Sequence, residues 1–571
     1  MSIQPYIRKA ILISALMLSL SALHATAQSF EWVQTAGTTM QYAGALARKI
    51  QVDAAGNTYV VGNFLHNVIF DGREFESTSP LGNPDVYLAK YDKGGRLSWV
   101  RRYGGKGGED AIDFALDPQG NVYIVGFFTK ANPGDNHEIG GASLHLDGSD
   151  REFFLAKLSP SGDLVWLRQS YDSGLARPDW PQIAVDPLGN VIFQGTFKGE
   201  MRIGSTVLKN DGRSVGLFVV KLSPAGEVLW GNTQVASINF LEGPDQLTRD
   251  FVEAAGLTTD ASGNIYYTGI FRGTLSFKGE QVRSKAQDVY LVKLDPDGRQ
   301  AWHRVVSGYL GETSMDVEVD VKGNPHLLLY AVDPEVGGIR ANNGAGTYVA
   351  KFDGSGKPYQ VSSIIEEGFC PAIAIDGNGR VYATGYISGT AKVGDQVLNL
   401  STGEAEAVVI CQDREGRLEW VRQAGGPGFV MGTDIQLDGA GSAYVLGEFR
   451  GDISFDDLQV RTKAASRPET KDFYTIDMVV ARMKLPVSVT QVSIPNIFTP
   501  NGDGVNDVFT VANLPKDSPV RMRIYSRWGT LVADLKDGTK GWEAYNSAEG
   551  LYFYNIEIAG ELKKGWVELV R

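Results

Sequence analysis

A run of Asp-x-x-Gly, usually followed by Asn and always by a short apolar stretch, recurs along this chain and restricts its fold more than any other feature. The segments are DAAGNTYVVGNF from Asp53, DPQGNVYIVGFF from Asp117, DPLGNVIFQGTF from Asp186, DASGNIYYTGIF from Asp260, DVKGNPHLLLYA from Asp320, DGNGRVYATGYI from Asp376 and DGAGSAYVLGEF from Asp438. A second motif follows each of the first six: YLAKYDKGGRLSW ending at Trp99, FLAKLSPSGDLVW at Trp166, FVVKLSPAGEVLW at Trp230, YLVKLDPDGRQAW at Trp302, YVAKFDGSGKPY at Tyr359 and VVICQDREGRLEW at Trp420. In both motifs an Asp or Ser opens a turn by accepting a backbone hydrogen bond, and a glycine three residues on takes the left-handed conformation that a side chain resists. Apolar runs flank each turn, so each is a hairpin. A unit therefore holds four strands, and such units repeated along a chain are the pattern of β-propeller blades.

The seventh copy stops at Pro486 with no second turn and no tryptophan. Its missing strand lies at the other end of the chain, where Phe30-Glu31-Trp32-Val33-Gln34-Thr35-Ala36-Gly37 matches Leu418-Glu419-Trp420-Val421-Arg422-Gln423-Ala424-Gly425 in pattern. The expectation is an all-β chain with a seven-bladed propeller closed by its N-terminal strand, leaving no sheet edge open. The repeats resemble the SBBP-type β-propeller repeats of bacterial exported proteins over roughly Phe30 to Leu485. Copy five departs from the pattern with Leu329 in place of glycine and Tyr359 in place of tryptophan.

Composition agrees with a turn-rich globular protein: glycine is 68 of 571 residues, while 43% hydrophobic and 21% charged residues are ordinary. A formal net charge of −13 excludes nucleic acid as the main partner, because that binding draws on lysine and arginine. Only Cys370 and Cys411 are present, in two strands of one unit. If another strand separates them, their Cα atoms stand too far apart for a disulfide. Residues 1–27 read as a signal peptide: Arg8 and Lys9, an apolar run from Ala10 to Leu23, then Ala25-Thr26-Ala27. That run is shorter than a membrane span, so no transmembrane segment is expected in the mature chain.

Periodicity ends at Leu485, and 486–493 reads as a linker before a domain over 494–571. That domain holds Ile494-Pro495-Asn496-Ile497-Phe498-Thr499-Pro500-Asn501-Gly502-Asp503-Gly504-Val505-Asn506-Asp507, then Tyr525-Ser526-Arg527-Trp528-Gly529, Gly541-Trp542-Glu543, Gly550-Leu551-Tyr552-Phe553-Tyr554 and Gly565-Trp566-Val567-Glu568. The ordered set resembles the gliding-motility-associated C-terminal domain, the type B sorting domain of type IX secretion in Bacteroidetes-like bacteria. The resemblance implies a small immunoglobulin-like β-sandwich, contact with the type IX machinery through 494–571, and a secreted or cell-surface destination reached through the periplasm. Glu543 stands where the family has Asp, and the segment from Trp542 to Gly550 is short for it.

Asn501, Asp503, Asn506 and Asp507 are candidate calcium ligands, since oxygen donors at alternate positions with glycine suit a hard cation. The competing reading is a loop held by its own Asx turns. The longest insertion, Lys130 to Arg151, offers Asp135, His137, Glu138, His145, Asp147 and Asp150 as candidate binding residues, because loops on a rigid scaffold carry recognition. The turn aspartates, the tryptophans and the lysines Lys90, Lys157, Lys221, Lys293 and Lys351 recur too regularly to be a site and are read as parts of the frame. No zinc, nucleophile-elbow or phosphate-loop motif is present, so no catalytic residue is assigned. The leading expectation is a non-catalytic binding or scaffold protein for an extracellular protein or glycan. The alternative is an extracellular polysaccharide-degrading lyase or hydrolase acting in the propeller funnel; carboxylates with tyrosine and histidine converging there would mark it.

Overall fold

The computed structural model describes residues 28–39, 44–79, 83–129, 136–146, 151–172, 180–210, 215–234, 251–307, 311–401, 403–463, 475–485, 494–501, 506–511, 520–558 and 561–571. The expected signal peptide and linker lie outside them. Two compact units emerge, one spanning Phe30–Met483 and the other containing Lys484–Arg571. No α-helix occurs among the described residues, and no helix there is long and apolar enough to cross a membrane.

In the larger unit each repeat is an antiparallel meander. Sheet one is Ala45–Val52, Thr58–Phe64, Asp85–Tyr91 and Leu97–Tyr103, in that order. Sheets two to six repeat it, with first strands Gly108–Leu116, Gln182–Val185, Phe251–Thr259, Thr313–Val319 and Phe369–Ile375. Sheet seven runs Phe429–Leu437, Ser442–Arg450, Asp477–Lys484 and then Ser29–Gly37, so the N-terminal strand supplies the fourth position. First strands of consecutive sheets lie side by side, and that of sheet seven lies beside that of sheet one.

The turns behave as their residues require. In the first turn of sheet one, Asp53 accepts from the backbone N–H groups of Ala55 and Asn57 at 3.0 and 2.9 Å, and the Asn57 amide donates to its other oxygen at 2.8 Å. Gly56 sits at φ 81°, the left-handed region. The second strands are buried along most of their length, Thr58–Phe64 without exception, because each sheet is covered on both faces. Gly62 on that strand makes room for the Tyr87 ring, whose hydroxyl donates to the Leu46 carbonyl at 3.0 Å. Where copy five has Leu329 instead, the Tyr348 hydroxyl donates to Gly344 O at 2.5 Å.

A further element recurs that the two motifs do not announce. Between second and third strands each unit carries a short hairpin, for example Asn67–Phe70 with Arg73–Glu76, or Glu200–Ile203 with Thr206–Lys209. The second of these joins the outer strand of the preceding sheet, pairing Ser170 with Ile203. The first joins the N-terminal strand, pairing Ala36 with Phe70 and Gly37 with Ile69. Ser29–Gly37 thus meets its neighbours as an outer strand does.

The smaller unit holds a five-stranded sheet in the order Ile497–Phe498, Glu561–Leu569, Gly550–Ile558, Val520–Ser526, Leu531–Leu535. Its core gathers Phe498, Phe509, Met522, Ile524, Trp542, Ile556 and Val567 on one face. Cys370 and Cys411 are free and buried, separated by the strand Val381–Ile387 as the strand-spacing argument expects.

Candidate functional site

The first strands place charged side chains where the seven sheets meet. A register shift breaks the ladder between Ala111 and Asp113, Ser314 and Asp316, and Gly432 and Asp434, and such a bulge re-aims the residue that follows it. Each of these aspartates reaches to the next sheet. Asp113 accepts from Ile183 N at 3.0 Å, Asp316 from Ile373 N at 3.2 Å, and Asp434 from Ile50 N at 2.9 Å. The second oxygen of each accepts from the following residue of its own strand, Phe114, Val317 and Ile435. The three carboxylates are latches between sheets, including the pair formed by the seventh and the first.

Lys49 stands at the equivalent position of sheet one, its Nζ 3.7 Å from Asp434 Oδ1. Burial alone would lower its pKa, but Asp434, Asp316, Asp113 and Glu318 outweigh that and hold it well above the usual lysine value. Burial pushes the carboxyl of Asp113 up to about 7, against the pull of Lys49 and its two N–H donors. Burial likewise raises Asp434, Asp316 and Glu318, the last further raised by the charge of Asp316. Four carboxyls against one ammonium resist full ionisation.

This arrangement predicts a pH dependence with a definite sign. A carboxyl whose folded pKa lies above its unfolded value of about 3.9 leaves the folded state holding more protons in between, so its contribution to stability falls as pH rises from about 4 to about 7. His326, pushed down to about 4 by burial, works in the opposite direction up to about 6.5. Comparing pH profiles isolates the carboxyl: Asp113→Asn should be less stable at pH 5 but lose less than the parent protein on going to pH 7. Parallel denaturation profiles would contradict the raised Asp113 pKa.

Beside these strands a cavity of about 450 Å³ opens at the first turns of sheets one to four, within the ~300–1,000 Å³ usual for small-molecule sites. Gln51, Ala54, Pro118, Pro187, Thr259 and Ala261 line it. The turn carboxylates Asp53, Asp117, Asp186 and Asp260 also border it, each engaged by backbone N–H groups and an asparagine amide of its own turn. The wall is accordingly one of turn residues and the ends of the first strands, Gln51, Leu116, Val185 and Thr259 among them.

The regular residues belong to the frame. Trp32, Trp166, Trp230 and Trp302 donate their indole N–H to Lys93 O, Pro224 O, Pro296 O and Gly354 O, carbonyls in the second turn of the next sheet. Sheet seven has no second turn, and the buried Trp420 indole N–H finds no acceptor among the described residues. Lys221 pairs with the turn carboxylate of Asp186 at 2.9 Å and donates to Pro296 O at 3.1 Å; Lys157 does the same with Asp117 and Pro224.

Among the binding-loop candidates, Asp135, Asp147 and Asp150 lie outside the described residues. His137 does not present to solvent: it is buried, with Nδ1 2.9 Å from Glu109 Oε1, and it packs on Phe128. Glu138 is half-buried and His145 exposed, the latter's backbone pairing with the Gln169 amide. The described part of this insertion forms a two-stranded hairpin of its own, His137–Ile139 with Ala142–Leu144. Of the candidate calcium ligands Asp503 lies outside the described residues, and Asn506 adopts φ 55° with its carbonyl accepting from Thr499 N at 2.9 Å. No cluster of three or more His, Cys, Asp or Glu suited to a metal occurs among the described residues. Sequence reasoning missed the inter-sheet latches and Lys49; the signal was an Asp four residues before the turn Asp in copies two, five and seven.

Residues 492–569 match the CHU_C type IX secretion signal domain, which marks the chain for export to the cell surface or beyond. Over 456 residues the chain is 21% identical to an uncharacterised WD repeat-containing protein of Acanthamoeba polyphaga mimivirus, covering 67% of this chain and 32% of that one. The chain thus spans about a third of the curated relative it matches. Similar solved structures include a polysaccharide lyase (11% identity, TM-score 0.43, 80% of this chain and 100% of that). Another is the β-propeller domain of the Trilobed protease from Pyrococcus furiosus (11% identity, TM-score 0.35, 73% and 95%). The chain is all-β with propeller structures among its neighbours, and its last domain matches a type IX secretion signal.

Proposed function

We propose that this chain is a secreted or cell-surface binding or scaffold protein, delivered through the periplasm by the type IX machinery. Its repeats form a seven-bladed SBBP-type propeller closed by the N-terminal strand, and its last domain is an immunoglobulin-like sandwich. The ligand is an extracellular protein or glycan. The observation that carries the binding reading is the use made of the central aspartates: Asp113, Asp316 and Asp434 each spend both oxygens on backbone N–H groups, which leaves them holding sheets together. The adjoining cavity is walled by turn residues, a surface suited to contact.

One observation favours the enzymatic reading. Glu318 is a carboxyl with a raised pKa near a lysine, the setting of a general acid. The full mature chain, screened on a glycan array and by pull-down from extracellular fractions, should show saturable binding without turnover of neutral or acidic polysaccharides. Polysaccharide cleavage that Glu318→Gln abolishes would replace the binding reading with the enzymatic one.

A further inference from the structure

The sheet of the smaller unit has one face in the core and one in solvent, and the solvent face is not the polar surface that such sheets usually show. Alternation along each strand sorts the residues. On Gly550–Ile558 the side chains of Tyr552, Ile556 and Ile558 are buried, whereas Leu551 and Phe553 point outward. On Glu561–Leu569, Val567 and Leu569 are buried and Trp566 points outward. The register then aligns the outward residues across the sheet: Trp566 lies opposite Phe553, Phe553 opposite Tyr525, and Tyr525 opposite Leu531. A second, shorter row joins Ile497 to Glu568 and Glu568 to Leu551.

Trp566, Phe553, Leu551, Leu531 and Ile497 retain 45%, 43%, 40%, 50% and 46% of their surface in solvent. Five large side chains half exposed amount to an apolar patch on the order of 400 Å². Beside the strip they form, the other half of the same face is mainly charged, with Arg521 paired to Asp534 at 2.9 Å and Lys564 exposed, and Leu562 is the large apolar side chain exposed there.

We propose that this strip is the surface by which a protein of the type IX export machinery reads the domain. The inference rests on the sorting role proposed above. A secretion signal has to be recognised by a protein, and this strip is where large exposed side chains align across neighbouring strands of the sheet; Trp528, Tyr545 and Leu562 are exposed outside it. Its size also discriminates between occupants. About 400 Å² is half of the ~800 Å² that each partner buries in a standard interface and far below an obligate homodimer's, so it suits a carrier that must let go of its cargo.

The test uses the full chain in a host with type IX secretion, with the deletion of Ile494 to Arg571 as reference. Phe553→Ser with Trp566→Ser removes the strip from outside the core, and Leu531→Ser with Leu551→Ser removes its ends. Either pair that keeps the parent's protease resistance should be retained in the cell as the deletion is. Arg521→Ser with Lys564→Ser, on the charged half, should be exported normally. Export of a protease-resistant strip variant at the parent level, while the deletion is retained, overturns the assignment of this face and leaves the sorting role standing. Export of the deletion itself overturns the sorting role. A chain that sediments as a dimer, and becomes a monomer in the strip variant without loss of export, would make this face a self-interface and overturn the proposal.

Discussion

Removing Phe30 to Gly37 is expected to lower the stability of the larger unit by several kcal/mol, and to cost far more than trimming any exposed loop. The strand lies between Asp477–Lys484 on one side and Asn67–Phe70 on the other, so its loss strips two ladders of partners at once. It also carries anchors into the core. Trp32 is 9% exposed and packs edge-on against Tyr444, and Phe30 meets Phe455 at a ring separation of 5.0 Å. Burying side chains of that size contributes roughly 1.5–3 kcal/mol each. The far end is pinned by polar groups: Asp477 accepts from Thr38 N at 3.2 Å and from Lys463 N at 2.9 Å, and its carboxylate fills the space over Gly37. Gly37→Val therefore offers a point test, because an added Cβ would overlap that carboxylate. Thermal denaturation of the mature chain checks both; an unchanged melting temperature in the deletion would refute closure by this strand.

How far such a strand was legible before any coordinates follows from what kind of residue announced each feature. Turns were readable because their chemistry is local: Asp53 holds Asn57 four residues away, and Gly56 must be left-handed whatever surrounds it. Seven such turns marked the order of strands, and the likeness of Trp32 to Trp420 placed the N-terminal strand beside Asp477–Lys484. The third hairpin escaped because its turn has no fixed letter. Asp71-Gly72, Gly140-Gly141, Lys278-Gly279 and Gly337-Gly338 have positive φ at both positions, the geometry favoured in two-residue hairpin loops, but the hairpins of other units turn at Gly204-Ser205, Gly394-Asp395 and Asp456-Asp457.

The place where the sheets of the larger unit meet was hidden for a different reason. Asp113, Asp316 and Asp434 gain their meaning from backbone N–H groups about sixty residues or more away, or across the chain's ends, and their one local mark, a place four residues before the turn Asp, does not say what they reach. His137 failed in the converse way. It sits in an insertion rich in charge, which reads as solvent-facing, yet its partner is the buried Glu109 of the strand Gly108–Leu116, 2.9 Å away. Long-range pairing reverses a local reading wherever a charge finds its counterpart inside.

The second large effect concerns destination. A chain lacking Ile494 to Arg571 is expected to accumulate in the periplasm of a type IX host, with almost none reaching the cell surface or medium. The deletion should leave the rest folded, because the core of the smaller unit draws all of its residues from 494–569, whereas the sheets of the larger unit are built from Ser29 to Lys484. That separation gives the experiment its force. A truncated chain that is retained, resists protease and melts like the parent has lost its address and nothing else, since residues 492–569 are those that match a secretion signal domain. One that is retained and degraded would show instead that the larger unit depends on the smaller, contrary to the division of cores. Normal release of a folded truncation would remove the sorting role, and with it the reason for a machinery protein to meet Trp566 and Phe553.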